Sequence, residues 1–221
     1  MGERMVLFGG TFDPIHHGHL IVARAVAERL HFERITLVPA AVSPHKTRGV
    51  SPAPAAGPED RVEMVRRAVA GEDLFEVSEV ELSRARPSYT RDTLLALREE
   101  HGPDVELVWI IGADMLADLP AWHRAAEVVD MARIVTAARP PYSERIERTL
   151  ENLRVRLAAE QVARLAAGVV PTPLVDISST QIRRRVREGR PISYLTPNTV
   201  IDYIQCQGLY VCGPGEEDLS P

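Results

Sequence analysis

With 221 residues, 45% of them hydrophobic and 26% charged, the chain has the composition of one globular domain. Its formal charge of −5 argues against a general nucleic-acid partner, because such proteins are basic, but leaves room for a small phosphorylated substrate. Two cysteines, Cys206 and Cys212, are too few for a disulfide framework. We find no secretory signal and no apolar run of the ~20 residues that cross a bilayer, so we expect a soluble, cytoplasmic protein without a membrane partner.

Along the chain, short apolar runs alternate with helical patterns, which predicts βαβ units and a parallel sheet. The predicted strands are residues 5–8, 35–38, 75–82, 106–111, 134–137 and 174–177. Helices are predicted from Gly18 onward and over residues 59–69, 91–100, 143–167, 179–188 and 198–205. Residues 40–58 contain four prolines and two glycines and are predicted to form a long loop. We expect a single domain over residues 1–212, with a helical C-terminal part from about residue 178, and a disordered acidic tail over 213–221.

The first candidate site lies between the first strand and the first helix, where residues 9–20 read Gly-Gly-Thr-Phe-Asp-Pro-Ile-His-His-Gly-His-Leu. Gly9 and Gly10 allow the backbone to approach a ligand closely. His16 and His19 are three residues apart, which at a helix start places both imidazoles on one side, near free backbone N–H groups and the positive end of the helix dipole. This environment suits a phosphate group.

Two other interpretations of these histidines remain open. Together with Asp13 they could bind a metal ion, although no cysteine or Glu-x-x-His segment nearby completes such a site. They could also be ordinary polar residues of a helix N-terminus. Three of the seven histidines fall within four positions after a Gly-Gly turn, which favours a function. The dinucleotide fingerprint Gly-x-Gly-x-x-Gly is absent from this segment.

The second candidate site is residues 177–183, Ile-Ser-Ser-Thr-Gln-Ile-Arg. Ser178 and Gln181 match a capping box, so a helix should begin here. The hydroxyls of Ser179 and Thr180, with Arg183 one turn later, would form a second anion site. The alternative is a plain capped helix with a solvated arginine face. Taken with the first segment, the second suggests a cradle for a triphosphate.

Both segments resemble the two hallmark motifs of the nucleotidylyltransferase superfamily, which carries His-x-Gly-His, and in their full form those of the bacterial nicotinate mononucleotide adenylyltransferases. The resemblance extends from about Val6 to Tyr210. It includes Pro-x4-Pro-His-Lys at 39–46, the segments 88–94, 111–114 and 119–123, and the ending 200–210. One position departs from the family pattern, since Ala40 and Ala41 stand where an asparagine is usual. The resemblance implies a Rossmann-like open parallel sheet with helices on both faces.

The same resemblance implies transfer of the adenylyl group of ATP to nicotinate mononucleotide, giving nicotinate adenine dinucleotide and pyrophosphate by direct in-line attack. His16, His19 and Arg183 would be catalytic. ATP would be bound by Gly9, Gly10, Thr11, Phe12, Gly18, Lys46, Gly112, Asp114, Ile177, Ser179 and Thr180. Nicotinate mononucleotide would be bound by Tyr89, Thr90, Trp122, His123 and Arg139. Mg²⁺ would be held mainly by the ATP phosphates, without protein ligands. Whether the chain forms a homo-oligomer stays open.

Two of these residues have a competing structural interpretation. Asp114 would accept from the adenosine ribose or cap the helix after Gly112. Trp109 lies inside an apolar strand and is expected in the core, whereas Trp122 follows Pro120 and would either stack on the pyridinium ring or pack inside.

Other functions also remain open. Another small-molecule nucleotidylyltransferase would use nicotinamide mononucleotide, phosphopantetheine or a phosphorylated alcohol as acceptor. A class I aminoacyl-tRNA synthetase fragment is disfavoured by the short acidic chain. A catalytically silent nucleotide sensor would share the fold.

Overall fold

The computed structural model describes residues 3–42, 55–83, 88–138 and 145–211. Six parallel strands form one sheet in the order β3-β2-β1-β4-β5-β6. The strands are β1 (Arg4–Gly10), β2 (Ile35–Pro39), β3 (Phe75–Val77), β4 (Glu106–Gly112), β5 (Arg133–Ala138) and β6 (Val169–Pro171). This architecture confirms the predicted Rossmann-like parallel sheet. The predicted acidic tail lies outside the described residues.

Nine helices lie within the described part of the chain, seven of them between strands and two after β6. They are α1 (His17–Leu30), α2 (Pro58–Val69), α3 (Thr90–His101), α4 (Ala113–Asp118), α5 (Ala125–Met131), α6 (Ile146–Leu153), α7 (Ala159–Ala167), α8 (Ser179–Arg187) and α9 (Asn198–Cys206). A 3₁₀ turn, Leu119–Ala121, follows α4. None of these helices is long and apolar enough to span a bilayer.

Helices cover both faces of the sheet because successive strand residues point to opposite sides. Val6 packs in a cluster with residues of α1, α2, α8 and α9. Its neighbour Leu7 packs in a second cluster with residues of α3, α5, α6 and α7. The two faces are therefore buried independently, as the continuous apolar runs of the central strands require.

Two strand predictions are wrong. The strand predicted at 75–82 ends at Val77, where its pairing with β2 stops. The run 174–177 is not a strand, and Leu174 is 63% exposed. The sixth position in the sheet belongs instead to β6, whose Val170 pairs with Ala137. Helices α4 and α5 were not predicted, and the helical stretch predicted at 143–167 consists of α6 and α7.

The strand order reverses between β1 and β4, where neighbouring connections leave for opposite faces of the sheet. In open parallel sheets the crevice at this switch point, at the carboxyl ends of the strands, is where ligands bind. Gly10 ends β1 and Gly112 ends β4, so the segments 9–20 and 111–114, which are both predicted to contact ATP, begin at this crevice.

Candidate active site

The glycines that end β1 are required by the packing of the protein itself. A Cβ atom at Gly9 would overlap Cζ2 of Trp109 on the neighbouring strand β4. A Cβ atom at Gly10 would lie 2.8 Å from the ring of Phe12, which is buried and has a left-handed backbone with φ 49°. Gly9 is expected to allow the close approach of a ligand. It is also required within the protein itself, because it makes room for the buried indole of Trp109.

His16 and His19 lie together, as their spacing predicted. Their rings are stacked with centroids 3.7 Å apart and planes inclined by 22°. His16 is buried and precedes α1, and its backbone N–H donates to Nδ1 of His19 at 3.2 Å. Because Nδ1 accepts this bond, the proton of a neutral His19 ring is on Nε2. His19 thus presents Nε2 as a hydrogen-bond donor.

The second segment reaches the first at two points. Ser178 caps α8 by accepting from the backbone N–H of Gln181 at 3.2 Å, which is one of the two hydrogen bonds of the predicted capping box and confirms the predicted helix start. The Ser179 hydroxyl donates to the carbonyl of Pro14 at 2.8 Å, and Nη1 of Arg183 donates to the carbonyl of Asp13 at 2.6 Å. The helix N-termini of α1 and α8 therefore border one site.

Gly18 sits at the junction of these two helices. A Cβ atom there would be 3.0 Å from Nδ1 of His16 and 3.5 Å from the carbonyl oxygen of Ile177. The absence of a side chain at Gly18 allows the second segment to pack against the start of α1. Thr180 accepts from Nη2 of Arg183 at 3.3 Å, which holds that guanidinium at the same junction.

Asp13 is a buried structural carboxylate. It is 1% exposed and accepts from the backbone N–H groups of Ala55 and Ala56 at 2.9 and 3.1 Å. The Tyr210 hydroxyl also donates to it, at 2.9 Å. Burial and this nearby negative charge raise the pKa of Tyr210 well above its ordinary range. With its oxygens occupied in this way, Asp13 does not support the metal-site interpretation of the histidines, and the described residues contain no group of three metal-ligating side chains.

At the end of β4, the helix cap differs from the expectation. Gly112 is the N-cap of α4, and Asp114 occupies the second helical position. The Asp114 carboxylate folds back over Gly112, since a Cβ atom at Gly112 would overlap its Oδ1. The capping interpretation of Asp114 is therefore wrong, because the backbone has already turned into the helix one residue earlier.

Two of the predicted mononucleotide-binding residues, Tyr89 and His123, lie together near the start of α3. The ring of Tyr89 lies against that of His123, with centroids 4.6 Å apart. Tyr89 is the N-cap of α3, which Thr90 begins. Nε of Arg91 pairs with Glu127 at 2.5 Å, which ties α3 to α5. Hydrogen bonds from Arg124 and Arg91 lower the pKa of Glu127. Two segments 36 residues apart in sequence, measured from Arg91 to Glu127, are thereby brought together.

The two tryptophans occupy different environments. Trp109 is 4% exposed inside β4 and belongs to the core, as predicted. Trp122 follows the 3₁₀ turn and is half-buried, packed against the edge of the second hydrophobic cluster. Its indole Nε1 is buried. Lys46 and Arg139, also predicted at the site, lie outside the described residues.

Sequence reasoning missed Arg61. This residue of α2 is 1% exposed and donates to four backbone carbonyls at the edge of the site. Arg61 lies four residues before Val65 and eight residues before Val69, so it shares the apolar face of the helix with them. This spacing could have indicated that Arg61 is buried. A charged residue on that face must be satisfied inside the protein.

Comparison with known proteins agrees with this geometry. Residues 7–185 match the model of the cytidylyltransferase-like family. A relative from Yersinia pestis, named a probable nicotinate-nucleotide adenylyltransferase, is 43% identical over 211 residues, which cover 92% of this chain and 94% of that protein. The chain belongs to the cytidylyltransferase-like family and, within it, to the nicotinate-nucleotide adenylyltransferases.

Other family members show the same extent of similarity. A relative from Thermomicrobium roseum with the same name is 42% identical and covers 94% of this chain and 92% of its own. Among solved structures, a Plasmodium falciparum nicotinic acid mononucleotide adenylyltransferase complexed with NaAD superposes with a TM-score of 0.69 over 94% of this chain and 97% of that chain. At 17% identity, this superposition establishes the shared fold.

Proposed function

We propose that this chain transfers the adenylyl group of ATP to nicotinate mononucleotide and releases pyrophosphate, a step of NAD biosynthesis. The observation that carries the proposal is the contact between the two motifs. Arg183 and Ser179 bind the carbonyls of Asp13 and Pro14, beside the stacked His16 and His19. Histidines, hydroxyls and a guanidinium thus converge at two helix N-termini, which together favour a polyphosphate.

ATP is the nucleotide that we place in the crevice between β1 and β4. His16 and His19 would hold oxygens of the α- and β-phosphates, and Ser179, Thr180 and Arg183 those of the β- and γ-phosphates. The Nε2–H of His19 suits this role, because it donates toward charge that develops in the transition state. The other nucleotide contacts would come from Gly9, Gly10, Thr11, Phe12, Gly18, Lys46, Gly112, Asp114 and Ile177.

Mg²⁺ would arrive bound to the triphosphate, as part of the substrate. It prefers oxygen ligands and retains water molecules, so phosphate oxygens can supply most of its shell.

Nicotinate mononucleotide would lie on the side of the crevice formed by the starts of α3 and α5. The juxtaposition of Tyr89 and His123 supports this placement, because it joins the two segments assigned to this substrate. Thr90 and the first N–H groups of α3 would hold the nicotinate carboxylate. Trp122 would stack on the pyridinium ring. Arg139 would meet the phosphate.

The reaction needs no protein nucleophile. A phosphate oxygen of the mononucleotide attacks the α-phosphorus of ATP, the bond from that phosphorus to the bridging oxygen breaks, and pyrophosphate leaves with the electron pair. The protein's contribution is alignment of the two substrates and stabilisation of negative charge on the phosphates.

Pyrophosphate release in the presence of ATP tests the proposal, with nicotinate mononucleotide, nicotinamide mononucleotide and phosphopantetheine as separate acceptors. We expect the highest kcat/KM with nicotinate mononucleotide. A preference for either other acceptor would assign a different nucleotidylyltransferase activity. ATP binding without release for any acceptor would indicate a nucleotide sensor.

A further inference from the structure

Arg61 carries its charge deep in the protein, without an ion pair among the described residues. Nη1 donates to the carbonyls of Thr11 at 2.8 Å and Ala40 at 2.6 Å. Nη2 donates to Ala41 at 2.9 Å, and Nε to Ala56 at 3.3 Å. Burial lowers the pKa of Arg61, and the negative charge of Asp13 opposes that shift. One guanidinium therefore occupies four of its five N–H groups on backbone carbonyls.

These carbonyls belong to three separate segments. Thr11 follows β1, Ala40 and Ala41 follow β2, and Ala56 precedes α2. In a planar trans peptide the N–H points opposite to the C=O. Turning the Thr11 and Ala41 carbonyls toward Arg61 therefore directs the N–H groups of Phe12 and Val42 away from it. Arg61 thus sets the orientation of peptide units after both strands.

The N–H of Val42, which this orientation directs away from Arg61, forms a hydrogen bond with Ser88. It donates to the Ser88 hydroxyl at 3.2 Å, and the backbone N–H of Ser88 donates to the Val42 carbonyl at 2.8 Å. Ser88 directly precedes Tyr89, the N-cap of α3. The segment held by Arg61 is therefore joined by two hydrogen bonds to the segment assigned to the mononucleotide.

On its other side, the same network reaches the nucleotide-binding segment. The Asp13 carboxylate accepts from the N–H of Ala56, whose carbonyl accepts from Arg61. The backbone carbonyl of Asp13 in turn accepts a hydrogen bond from Arg183. Ala56 is held between a buried acid and a buried base, and both act on the turn that contains Thr11 and Asp13.

We propose that Arg61 is a positioning residue for adenylyl transfer. It fixes the nucleotide side of the crevice, at Thr11 and Phe12, relative to the mononucleotide side, at Ser88 and Tyr89. This inference rests on the proposed function, because alignment matters only if two substrates react. Arg61 touches neither substrate, and its effect passes through the backbone that it holds.

Arg61→Lys tests the proposal directly. Lysine keeps the charge but cannot serve four carbonyls in a fixed planar geometry. A misplacement of about 1 Å can cost roughly 10²-fold in rate, so we expect kcat to fall about 10²-fold while the KM values for ATP and nicotinate mononucleotide stay within about threefold. The matched control is Arg67→Lys, at a half-exposed position six residues later in α2, which should leave kcat unchanged.

Ser88→Ala tests the same connection from its other end, at a partly exposed residue. We expect Ser88→Ala to lower kcat in the otherwise unmodified chain. When it is added to Arg61→Lys it should lower kcat by a smaller factor, because both changes interrupt the same chain of hydrogen bonds. Rates should be compared well below each variant's melting temperature, with the folded fraction measured by circular dichroism, since a purely structural role would reduce that fraction alone.

Three results would overturn the inference. The first is a normal kcat in Arg61→Lys. The second is a loss of kcat that is explained entirely by the loss of folded protein. The third is a kcat in the double variant that falls by the product of the two single-variant factors, because the two residues would then act independently. An unmodified chain that forms no dinucleotide would instead refute the proposed function, and the inference with it. If Arg61→Lys does not fold, a normal kcat in Ser88→Ala still overturns the proposed path.

Discussion

Nδ1 of His19 accepts the backbone N–H of His16 at 3.2 Å, and the two rings stack with centroids 3.7 Å apart. The ring of Phe12 meets His19 edge-on at 5.1 Å. His19 is therefore held by a hydrogen bond and by contacts with three rings, those of His16, Phe12 and Phe8. Such preorganisation suits a group that stabilises charge appearing only in the transition state.

For this reason, His19→Ala should lower kcat by about 10²–10³-fold while the affinity for ATP changes by only a few-fold. Single-turnover rates and ATP binding by calorimetry would separate the two effects. His17→Ala, at the neighbouring position, is the matched control and should retain most of the activity. Near-normal turnover in His19→Ala would remove His19 from the catalytic role.

Replacement of Trp122 tests the mononucleotide side of the crevice. If its indole stacks on the pyridinium ring, Trp122→Ala should raise the KM for nicotinate mononucleotide by about tenfold, which corresponds to a stacking energy of ~1–2 kcal/mol. The KM for ATP should hardly change, and Trp122→Phe should recover part of the loss. The comparison variant is Trp109→Phe, which should reduce the melting temperature because Trp109 is in the core. An unchanged KM in Trp122→Ala would make Trp122 a packing residue.

Tyr210 connects the end of the described chain to Asp13, and we expect its loss to be visible in stability. Tyr210→Phe removes a hydrogen bond to a buried carboxylate, so the free energy of unfolding at neutral pH should fall by ~1–3 kcal/mol. Urea titrations followed by circular dichroism would measure this difference.

The same variant has a distinct pH dependence. Burial and Asp13 raise the pKa of Tyr210 above the 10.0 of an ordinary phenol, so above that pH the unfolded chain releases a proton that the folded chain keeps. The contribution of Tyr210 is therefore complete below about pH 10 and declines as the pH rises further. Stability of the unmodified chain should fall more steeply above about pH 10 than that of Tyr210→Phe. Parallel alkaline slopes would contradict the assignment.

Gly9 should be intolerant of any side chain because of Trp109. Gly9→Ala would force the Cβ atom into the indole, and overpacking of this kind costs ~1–3 kcal/mol. Thermal unfolding should show the loss, and the second substitution Trp109→Leu should restore part of it. As a comparison, a Cβ atom at Gly57 would meet Asp60 at an ordinary 3.4 Å, so Gly57→Ala should cost only the weaker preference of alanine for the N-cap of α2, at most about 1 kcal/mol. Equal stability of Gly9→Ala and the unmodified chain would refute this explanation of the glycine.

The central sheet and the two motifs could be predicted from sequence because their signals are local. Each central strand is a continuous apolar run, and Ser178 caps α8 through a neighbour three residues away. Strand β6 escaped prediction because it has three residues and follows α7 after one glycine, so its pattern merges with that of the helix. The run 174–177 had the better local pattern, but the edge of β5 was already paired.

The supporting network could not be predicted in this way. Asp13 and Tyr210 are 197 residues apart, and Arg61 reaches backbone carbonyls, which carry no signature in a sequence. At positions 40 and 41, alanines replace the asparagine usual in the family, and their carbonyls rather than their side chains are engaged. Knowledge of such contacts requires the tertiary structure, because any residue has a carbonyl to offer.

The most direct measurement of the central claim is the stereochemical course of the reaction. ATP made chiral at the α-phosphorus with sulfur should be incubated with the protein and nicotinate mononucleotide, and the configuration of the resulting dinucleotide determined. One direct in-line transfer predicts formation of nicotinate adenine dinucleotide with inversion at that phosphorus. Retention, which indicates a covalent adenylyl–enzyme intermediate, or the absence of this dinucleotide would contradict the account.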